Sequence, residues 1–418
     1  MTYTLSKPDR ILRGEIHLDG SKSISNRALV IQALCGEHFE IKKLSTSNDT
    51  RLMQQLLSDA DHDLLDAGAA GTTFRFLTAY LATRPGTQTL TGSPRMKQRP
   101  IGALVDALRT LGARIEYLEQ EGFPPLRIHS PENLGDVKTV AVPVGTSSQF
   151  LSALLLIAPV LPNGLELRLE GEPVSRPYLD MTLQIMAYFG AKHTWEENII
   201  CVSPQPYQAR DITVEADWTA ASYFYALAAF SEHCDLRLHG LREDSWQGDA
   251  AIARMMEGFG VETIFHDQQV HLSKVPGALP FFEQDFLPCP DLAQTLAVVC
   301  GGLGTQGLFS GLSTLRIKET DRIAAMQHEL AKVHVFLSKL PPRFSKKSDR
   351  EYFMVEGKAN LTGSPTFDTY DDHRMAMAFA PLALLGEVKI AEPGVVGKSY
   401  PAFWEDFAKL GFRIEEAA

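Results

Sequence analysis

The chain repeats itself, and the repeat is the feature that most limits its fold. Residues 108–115, 186–193, 256–263 and 407–414 share one pattern: the end of an amphipathic helix, a glycine, then an alternating strand. The glycines are Gly112, Gly190, Gly258 with Gly260, and Gly411, placed where a helix C-cap requires positive φ. Ahead of these segments runs a second series, of helices rich in small apolar residues. They begin near Ile24, Thr72, Gln149, Trp218, Leu292 and His373, each after a loop containing Gly, Ser or Asp. Residues 150–158 and 374–380 are apolar nearly all round, so these helices are expected to be buried rather than to lie on a surface. The unit is therefore strand, buried helix, strand, amphipathic helix, strands. It recurs about six times at roughly 70–80 residues, longer than the common short solenoid repeats. The first unit is trimmed: residues 52–66 hold a short helix with no glycine–strand ending.

If the units share a fold, the loops that enter their helices converge, and those loops carry the chemistry. In residues 19–27, Ser21 or Ser23 can cap a helix that Lys22 and Arg27 make basic. In residues 67–75, Gly68 and Gly71 let backbone approach a ligand closely. Arg99 precedes Pro100, which suits the first turn of a helix running to Leu111 and sets a two-pronged cation at its mouth. Ser147, Ser148 and Gln149 follow Gly145 and Thr146, more polar groups than a plain cap needs. Ser175-Arg176-Pro177-Tyr178 opens the next helix in the same style. Asp291, Asp371 and Asp372 stand before helices as caps. Arg374, immediately inside one, is disfavoured by the helix dipole unless an anion is near. Lys398 lies before the last helix.

The densest of these loops is Leu315-Arg316-Ile317-Lys318-Glu319-Thr320-Asp321-Arg322, just ahead of an apolar-periodic segment. A helix entered this way directs backbone N–H groups, Lys318, Arg322 and Glu319 toward one spot, an anion site with a proton donor or acceptor built in. Collected, Lys22, Arg27, Arg99, Lys318, Arg322, Arg374 and Lys398 suit small ligands bearing several negative charges, while Asp291 and Glu319 can move protons. The basic stretch with Arg343, Lys346, Lys347 and Arg350 reads as a solvated loop.

Composition excludes other classes. With 418 residues, 44% hydrophobic and 22% charged, the chain can build two or more domains with real cores. Its net charge of −11 argues against a nucleic-acid partner. Five scattered cysteines and no His/Cys cluster point away from transition-metal chemistry, and no Walker or Rossmann motif indicates a nucleotide cofactor. No apolar run is long enough to span a bilayer, so a cytoplasmic protein without a membrane partner is expected.

Taken together, the strings Gly20-Ser21-Lys22-Ser23, Ser147-Ser148-Gln149-Phe150, Lys318-Glu319-Thr320-Asp321-Arg322 and Asp372-His373-Arg374-Met375-Ala376 closely resemble the 5-enolpyruvylshikimate-3-phosphate synthase family across nearly the whole chain. The resemblance implies a two-domain inside-out α/β barrel with three βαβαββ-like repeats per domain. It places one domain at 21–214 and the other at 1–20 plus 215–418, with the active site in the cleft between them. It implies transfer of the enolpyruvyl group of phosphoenolpyruvate to the 5-hydroxyl of shikimate 3-phosphate, through a tetrahedral intermediate and with release of phosphate. This is a step of the shikimate pathway toward chorismate and the aromatic amino acids. By matched position, shikimate 3-phosphate meets Lys22, Ser23, Arg27, Ser147, Ser148, Gln149, Ser175, Asp291 and Lys318. Phosphoenolpyruvate meets Lys22, Gly71, Arg99, Gln149, Arg322, Arg374 and Lys398. Asp291 is the acceptor for the 5-hydroxyl proton, with Glu319 and Lys22 moving protons at the methylene and the departing phosphate. No cofactor and no metal are implied, and the family expectation is a monomer.

Two residues depart from the family pattern. Ala69 and Thr314 stand where an amide side chain is common, each at a cost of roughly one hydrogen bond, ~0.5–1.5 kcal/mol. Two alternatives compete. The related transferase that acts on UDP-N-acetylglucosamine usually has Asn after the first lysine and a cysteine in its mobile loop. Here Ser23 follows Lys22, and residues 92–100 hold no Cys. A non-catalytic anion- or RNA-binding member of the fold has no need of Lys22, Asp291, Glu319 and Arg374 together.

Overall fold

The computed structural model describes residues 1–143, 147–171, 175–341 and 350–417. The chain forms two compact units, Gly20–Val214 and Met1–Asp19 with Glu215–Ala418, and crosses between them after Asp19 and after Val214.

In the Gly20–Val214 unit the helices are α1 (Lys22–Cys35), α2 (Asn48–Ser58), α3 (Gly71–Ala82), α4 (Pro94–Lys97), α5 (Gly102–Thr110), α6 (Ser148–Ile157) and α7 (Arg176–Tyr188). α1, α3 and α6 are the buried series. α3 buries all but one of its residues, from Gly71 to Ala82, and α6 is buried from Phe150 to Ile157. Neither has a polar face to offer water, so each must be enclosed by other elements. In the other unit the helices are α8 (Trp218–Phe230), α9 (Ile252–Glu257), α10 (Ala293–Leu303), α11 (Arg322–Ala331), α12 (His373–Phe379) and α13 (Phe403–Lys409). α8, α10 and α12 are the buried members. Together with the inner faces of the sheets they make one continuous core.

Among the described residues the strands form six sheets, five of four strands and one of two. Among the described residues no sheet closes into a barrel; the mixed α/β architecture expected from sequence takes the form of open sheets with helices. The two-stranded sheet pairs Ile41–Lys42 with Ile212–Thr213 in parallel, and it belongs to the trimmed unit of α1 and α2. α2 is longer than the sequence suggested: it starts at Asn48, where the Ser47 hydroxyl accepts from the Thr50 N–H.

The glycine junctions form at four positions, while Gly258, the C-cap of α9, stays right-handed at φ −63° and Gly260 makes the turn. Gly112, Gly190, Gly260 and Gly411 all have positive φ. At Gly112 the space is closed as well, since a Cβ would lie 2.4 Å from the Asn133 carbonyl oxygen. The unit of α11 makes the same junction without glycine. His334 stands there at φ 61°, between the helix and the strand Val335–Lys339. A search for glycine overlooks that copy, because the turn fixes the conformation and not the residue type.

Candidate active site

The helix entrances of the Glu215–Ala418 part converge on one guanidinium. Arg322, the first residue of α11, is 1% exposed and is held on every side by carboxylates. Its Nε donates to Asp372 Oδ2 at 2.7 Å, Nη1 to Asp291 Oδ1 at 2.8 Å, and Nη2 to Glu319 Oε2 at 2.8 Å. Two of the three carboxylates, Asp291 and Glu319, are bound again by further cations. Arg374 Nη2 lies 2.9 Å from Asp291 Oδ2, Lys318 Nζ 3.8 Å from Asp291 Oδ1, and Lys398 Nζ 3.1 Å from Glu319 Oε1. Among the described residues, Arg322, Arg374, Lys318 and Lys398 thus face Asp291, Glu319 and Asp372 in one buried network.

Local structure explains the aim of each group. Asp291 is in a single 3-10 turn, Pro290–Leu292, leading into α10; the N-cap positions there are Cys289 and Leu292, and the Asp291 side chain enters the network. Asp372 does cap α12, accepting from the Arg374 N–H at 2.9 Å, and holds Arg322 with the same carboxylate. The anion that Arg374 needs at a helix start is therefore internal. At α11, Asp321 accepts from the Ile323 and Ala324 N–H groups. Those donors are occupied, so it is the side chains of the 315–322 run, rather than its free backbone, that make the site. Arg316 turns outward, to Asp321 and Glu351.

Electrostatics follow from this arrangement. Burial works to raise the Asp291 pKa, but Arg374, Lys318 and Arg322 together outweigh it and hold the carboxyl well below the usual range. Burial lowers the Lys318 pKa, opposed by Asp291. Burial also works against the Arg322 cation, yet Asp372, Glu319 and Asp291 prevail and raise its pKa. Beside the network sits an acid that sequence reading passed over. Asp249 is 4% exposed, and its Oδ2 accepts from the Thr219 hydroxyl. Its Oδ1 is buried with no hydrogen-bond partner among the described residues. Burial first, then the nearby Asp291 charge, raises its pKa to about 7. Tyr223, whose hydroxyl receives a bond from Arg374 Nη1 at 3.4 Å, is pushed by burial up to about 12. The string Gln247-Gly248-Asp249 carries no charge pattern that could have flagged Asp249.

The Gly20–Val214 unit holds a second set. Lys22, at the start of α1, places Nζ 3.1 Å from Asp49 Oδ2 of α2, an acid not foreseen as its partner. Ser21 occupies the N-cap without a side-chain cap bond, and its hydroxyl is buried without a partner among the described residues. Ser23 lends its carbonyl to Arg27 Nη1 at 2.9 Å. Arg27 is buried. Its Nε donates to Thr182 Oγ1 at 2.8 Å, and its Nη2 to Ser152 Oγ at 3.1 Å and the Tyr178 carbonyl at 3.4 Å. It ties α1 to α6 and α7, and burial lowers its pKa to about 10, still a cation at neutral pH. Gln149 Nε2 reaches Thr72 Oγ1 at 3.1 Å, joining α6 to α3. Ser147 caps α6 by accepting from the Gln149 N–H at 3.3 Å, and Ser148 is that helix's first residue. Ser175, before α7, is held at φ 57° and makes no cap bond.

Arg99 lies between α4 and α5 and not at a helix mouth. α5 begins at Gly102 with Ile101 as its N-cap, so Pro100 falls outside it. The Arg99 guanidinium packs on Gly71 instead: a Cβ built on Gly71 would stand 2.7 Å from Nη1 and 2.9 Å from Nη2. Gly145, Thr146, Arg343, Lys346 and Lys347 lie outside the described residues. Arg350 pairs with Asp285. Of the two departures, Thr314 leaves its hydroxyl buried and without a partner among the described residues.

Comparison with known proteins bears on this arrangement. The profile of EPSP synthase (3-phosphoshikimate 1-carboxyvinyltransferase) matches residues 6–60 and 54–407. A 3-phosphoshikimate 1-carboxyvinyltransferase of Bacteroides fragilis is 46% identical over 417 residues, covering 99% of each chain. One of Cellvibrio japonicus is 37% identical, over 96% of this chain and 98% of its own. Among solved structures, an EPSP synthase from Acinetobacter baumannii superposes with a TM-score of 0.78 at 21% identity, covering 100% of both chains. An enolpyruvyl transferase from Streptomyces tendae gives 0.74 at 14% identity, over 100% of this chain and 99% of that one. These two share the two-domain inside-out α/β fold.

Proposed function

Since the chain belongs to the EPSP synthase (3-phosphoshikimate 1-carboxyvinyltransferase) family, we propose that the Arg322-centred network and the Lys22–Arg99 set serve one reaction. That reaction is the transfer of the enolpyruvyl group of phosphoenolpyruvate to shikimate 3-phosphate, with release of phosphate. The observation that carries the reading is a buried network in which four cations meet the acids needed for proton movement.

In the addition, the 5-hydroxyl oxygen of shikimate 3-phosphate bonds to C2 of the enol, the hydroxyl proton leaves, and C3 takes a proton. In the elimination, the C2–O bond to phosphate breaks, C3 gives up a proton, and the double bond returns. The 5-hydroxyl proton passes to Asp291. Glu319 and Lys22 move protons at the methylene and at the departing phosphate. Shikimate 3-phosphate is held by Lys22, Ser23, Arg27, Ser147, Ser148, Gln149, Ser175, Asp291 and Lys318. Phosphoenolpyruvate is held by Lys22, Gly71, Arg99, Gln149, Arg322, Arg374 and Lys398. The chain acts as a monomer.

Asp291 poses a physical problem. Three cations hold its carboxyl low, and so acidic a group is a weak base. Anionic substrates resolve this. A carboxylate or phosphate drawing Arg374, Lys318 or Arg322 toward itself weakens their hold on Asp291, whose burial then raises its basicity. Arg27 plays a different part from the others. Each of its three nitrogens donates within its unit, so besides facing the ligand it positions Ser23 and ties the helix starts together.

The test is Glu319→Gln, which keeps the side chain's shape between Lys398 and Arg322 and removes its capacity to carry a proton. Turnover falls ~10²–10⁴-fold with little change in KM for either substrate. Near-normal turnover rules out proton transfer by Glu319. The nucleotide-sugar acceptor is not favoured, since the relatives matched over the full chain are 3-phosphoshikimate 1-carboxyvinyltransferases.

A further inference from the structure

Far from the Arg322 network in sequence, the strands Ile11–His17 and His233–His239 run parallel in register, with Glu15 opposite Arg237 and His17 opposite His239. Leu12 and Ile16 of the first and Leu236 and Leu238 of the second are buried. Side chains alternate across a strand, so Glu15, His17 and His239 share the opposite, outward face. Sequence alone offered no His cluster because the pair that makes one is joined only by strand register; the expectation that no such cluster exists is corrected here.

The three residues form the one group among the described residues whose ligand atoms could meet on a metal ion, all within 4.8 Å of one another. The His17 and His239 rings lie 4.2 Å apart and within 13° of parallel. His239 Nε2 stands 3.2 Å from Glu15 Oε2. That is close to the ~3.3 Å separating two ligands of a tetrahedral ion with bonds near 2.0–2.1 Å. The other carboxylate oxygen, Oε1, lies 3.5 Å from Arg237 Nη1, so Arg237 steadies Glu15 while leaving Oε2 to coordinate. Ile11–His17 is an edge strand of its sheet, which keeps one side of the site open to water as the remaining ligand.

We propose that Glu15, His17 and His239 form a surface site for a borderline divalent transition-metal ion of the zinc, cobalt or nickel class. Two imidazoles and one carboxylate favour such ions over magnesium or calcium, which prefer an all-oxygen shell. Glu15 and His17 are exposed and His239 is half-buried, so the face is open to an ion from solvent. The ion would clip the ends of two neighbouring strands. The proposal does not rest on the assignment of the catalytic groups above.

The experiment is titration of the metal-free, full-length protein with Zn²⁺ and Co²⁺, beside His17→Gln, His239→Gln and Glu15→Gln. The expected result is one equivalent of Zn²⁺ per chain that raises the melting temperature. Affinity falls more than ~100-fold in either His variant, since losing a ligand costs at least as much as the 10–100-fold lost with an outer-shell partner. Co²⁺ gives visible bands without the thiolate charge-transfer absorption that binding at a cysteine would produce. Unchanged metal-free melting temperatures in the variants show that the fold is intact. Equal Zn²⁺ affinity in wild type and all three variants overturns the proposal, as do binding by wild type only at millimolar ion and a Co²⁺ spectrum with thiolate character.

Discussion

Replacing Gly71 by alanine tests whether Arg99 works as a positioned fork. The new Cβ would stand 2.7 Å from Arg99 Nη1, about 0.7 Å inside ordinary van der Waals contact. The backbone gains nothing by moving, since Gly71 opens α3 and its carbonyl accepts from Arg75 Nη1 at 3.2 Å. The flexible guanidinium therefore yields. A shift of that size spoils the alignment of one of the two parallel N–H bonds that Arg99 can offer an oxyanion. A hydrogen bond to a charged group is worth ~1.5–3 kcal/mol, and 1.4 kcal/mol is a factor of ten. KM for phosphoenolpyruvate should thus rise by roughly 10–100-fold, with a smaller change in kcat and KM for shikimate 3-phosphate within about twofold. Initial rates of phosphate release against phosphoenolpyruvate concentration measure this. A double-mutant cycle with Arg99→Lys should be strongly non-additive, because both changes act through one guanidinium. An unchanged KM for phosphoenolpyruvate, or fully additive effects, would refute the reasoning.

Two further expectations concern the buried charges. Arg322→Met removes the main cation partner of Asp372, whose side chain is fully buried, and should lower stability to urea by ~3–5 kcal/mol; Arg322→Met with Asp372→Leu should recover part of that loss, and a cost below ~1 kcal/mol contradicts the network's role. Asp249 has a native pKa raised to about 7 from 3.8, so the stability its proton confers is full below about pH 4 and lost as pH rises through about 7. Asp249→Asn should therefore stabilise the protein relative to wild type at pH 8 and progressively less toward pH 4. The difference between those two limits is at most on the order of 4 kcal/mol, and urea midpoints that differ equally at both pH values would contradict a buried titrating acid.

The six buried helices were legible because a segment apolar on all sides has one stable location, and the strand junctions were legible where glycine marks the turn. His334 shows the limit of that signal: its left-handed backbone is imposed by the helix–strand junction, and nothing in its residue type announces it. The cations of the site were visible as unusual residues at helix starts. Their partners were not. Asp372 reads as a cap and is one, yet it also grips Arg322 from 50 residues away. Asp49 meets Lys22, and Asp249 enters the neighbourhood of Asp291, through contacts between helices that no local pattern encodes. Ser21 and Pro100 failed in the opposite sense. Both carry strong local preferences, and tertiary packing set the Ser21 hydroxyl away from the cap and the start of α5 two residues past Pro100. The Glu15–His17–His239 face depends wholly on the register of two strands distant in sequence.

The most direct measurement of the central claim is phosphate release from phosphoenolpyruvate by the purified chain, with shikimate 3-phosphate or UDP-N-acetylglucosamine offered as acceptor. The account predicts release that depends on shikimate 3-phosphate and is absent with the nucleotide sugar. Release with the nucleotide sugar alone, or with neither acceptor, contradicts it.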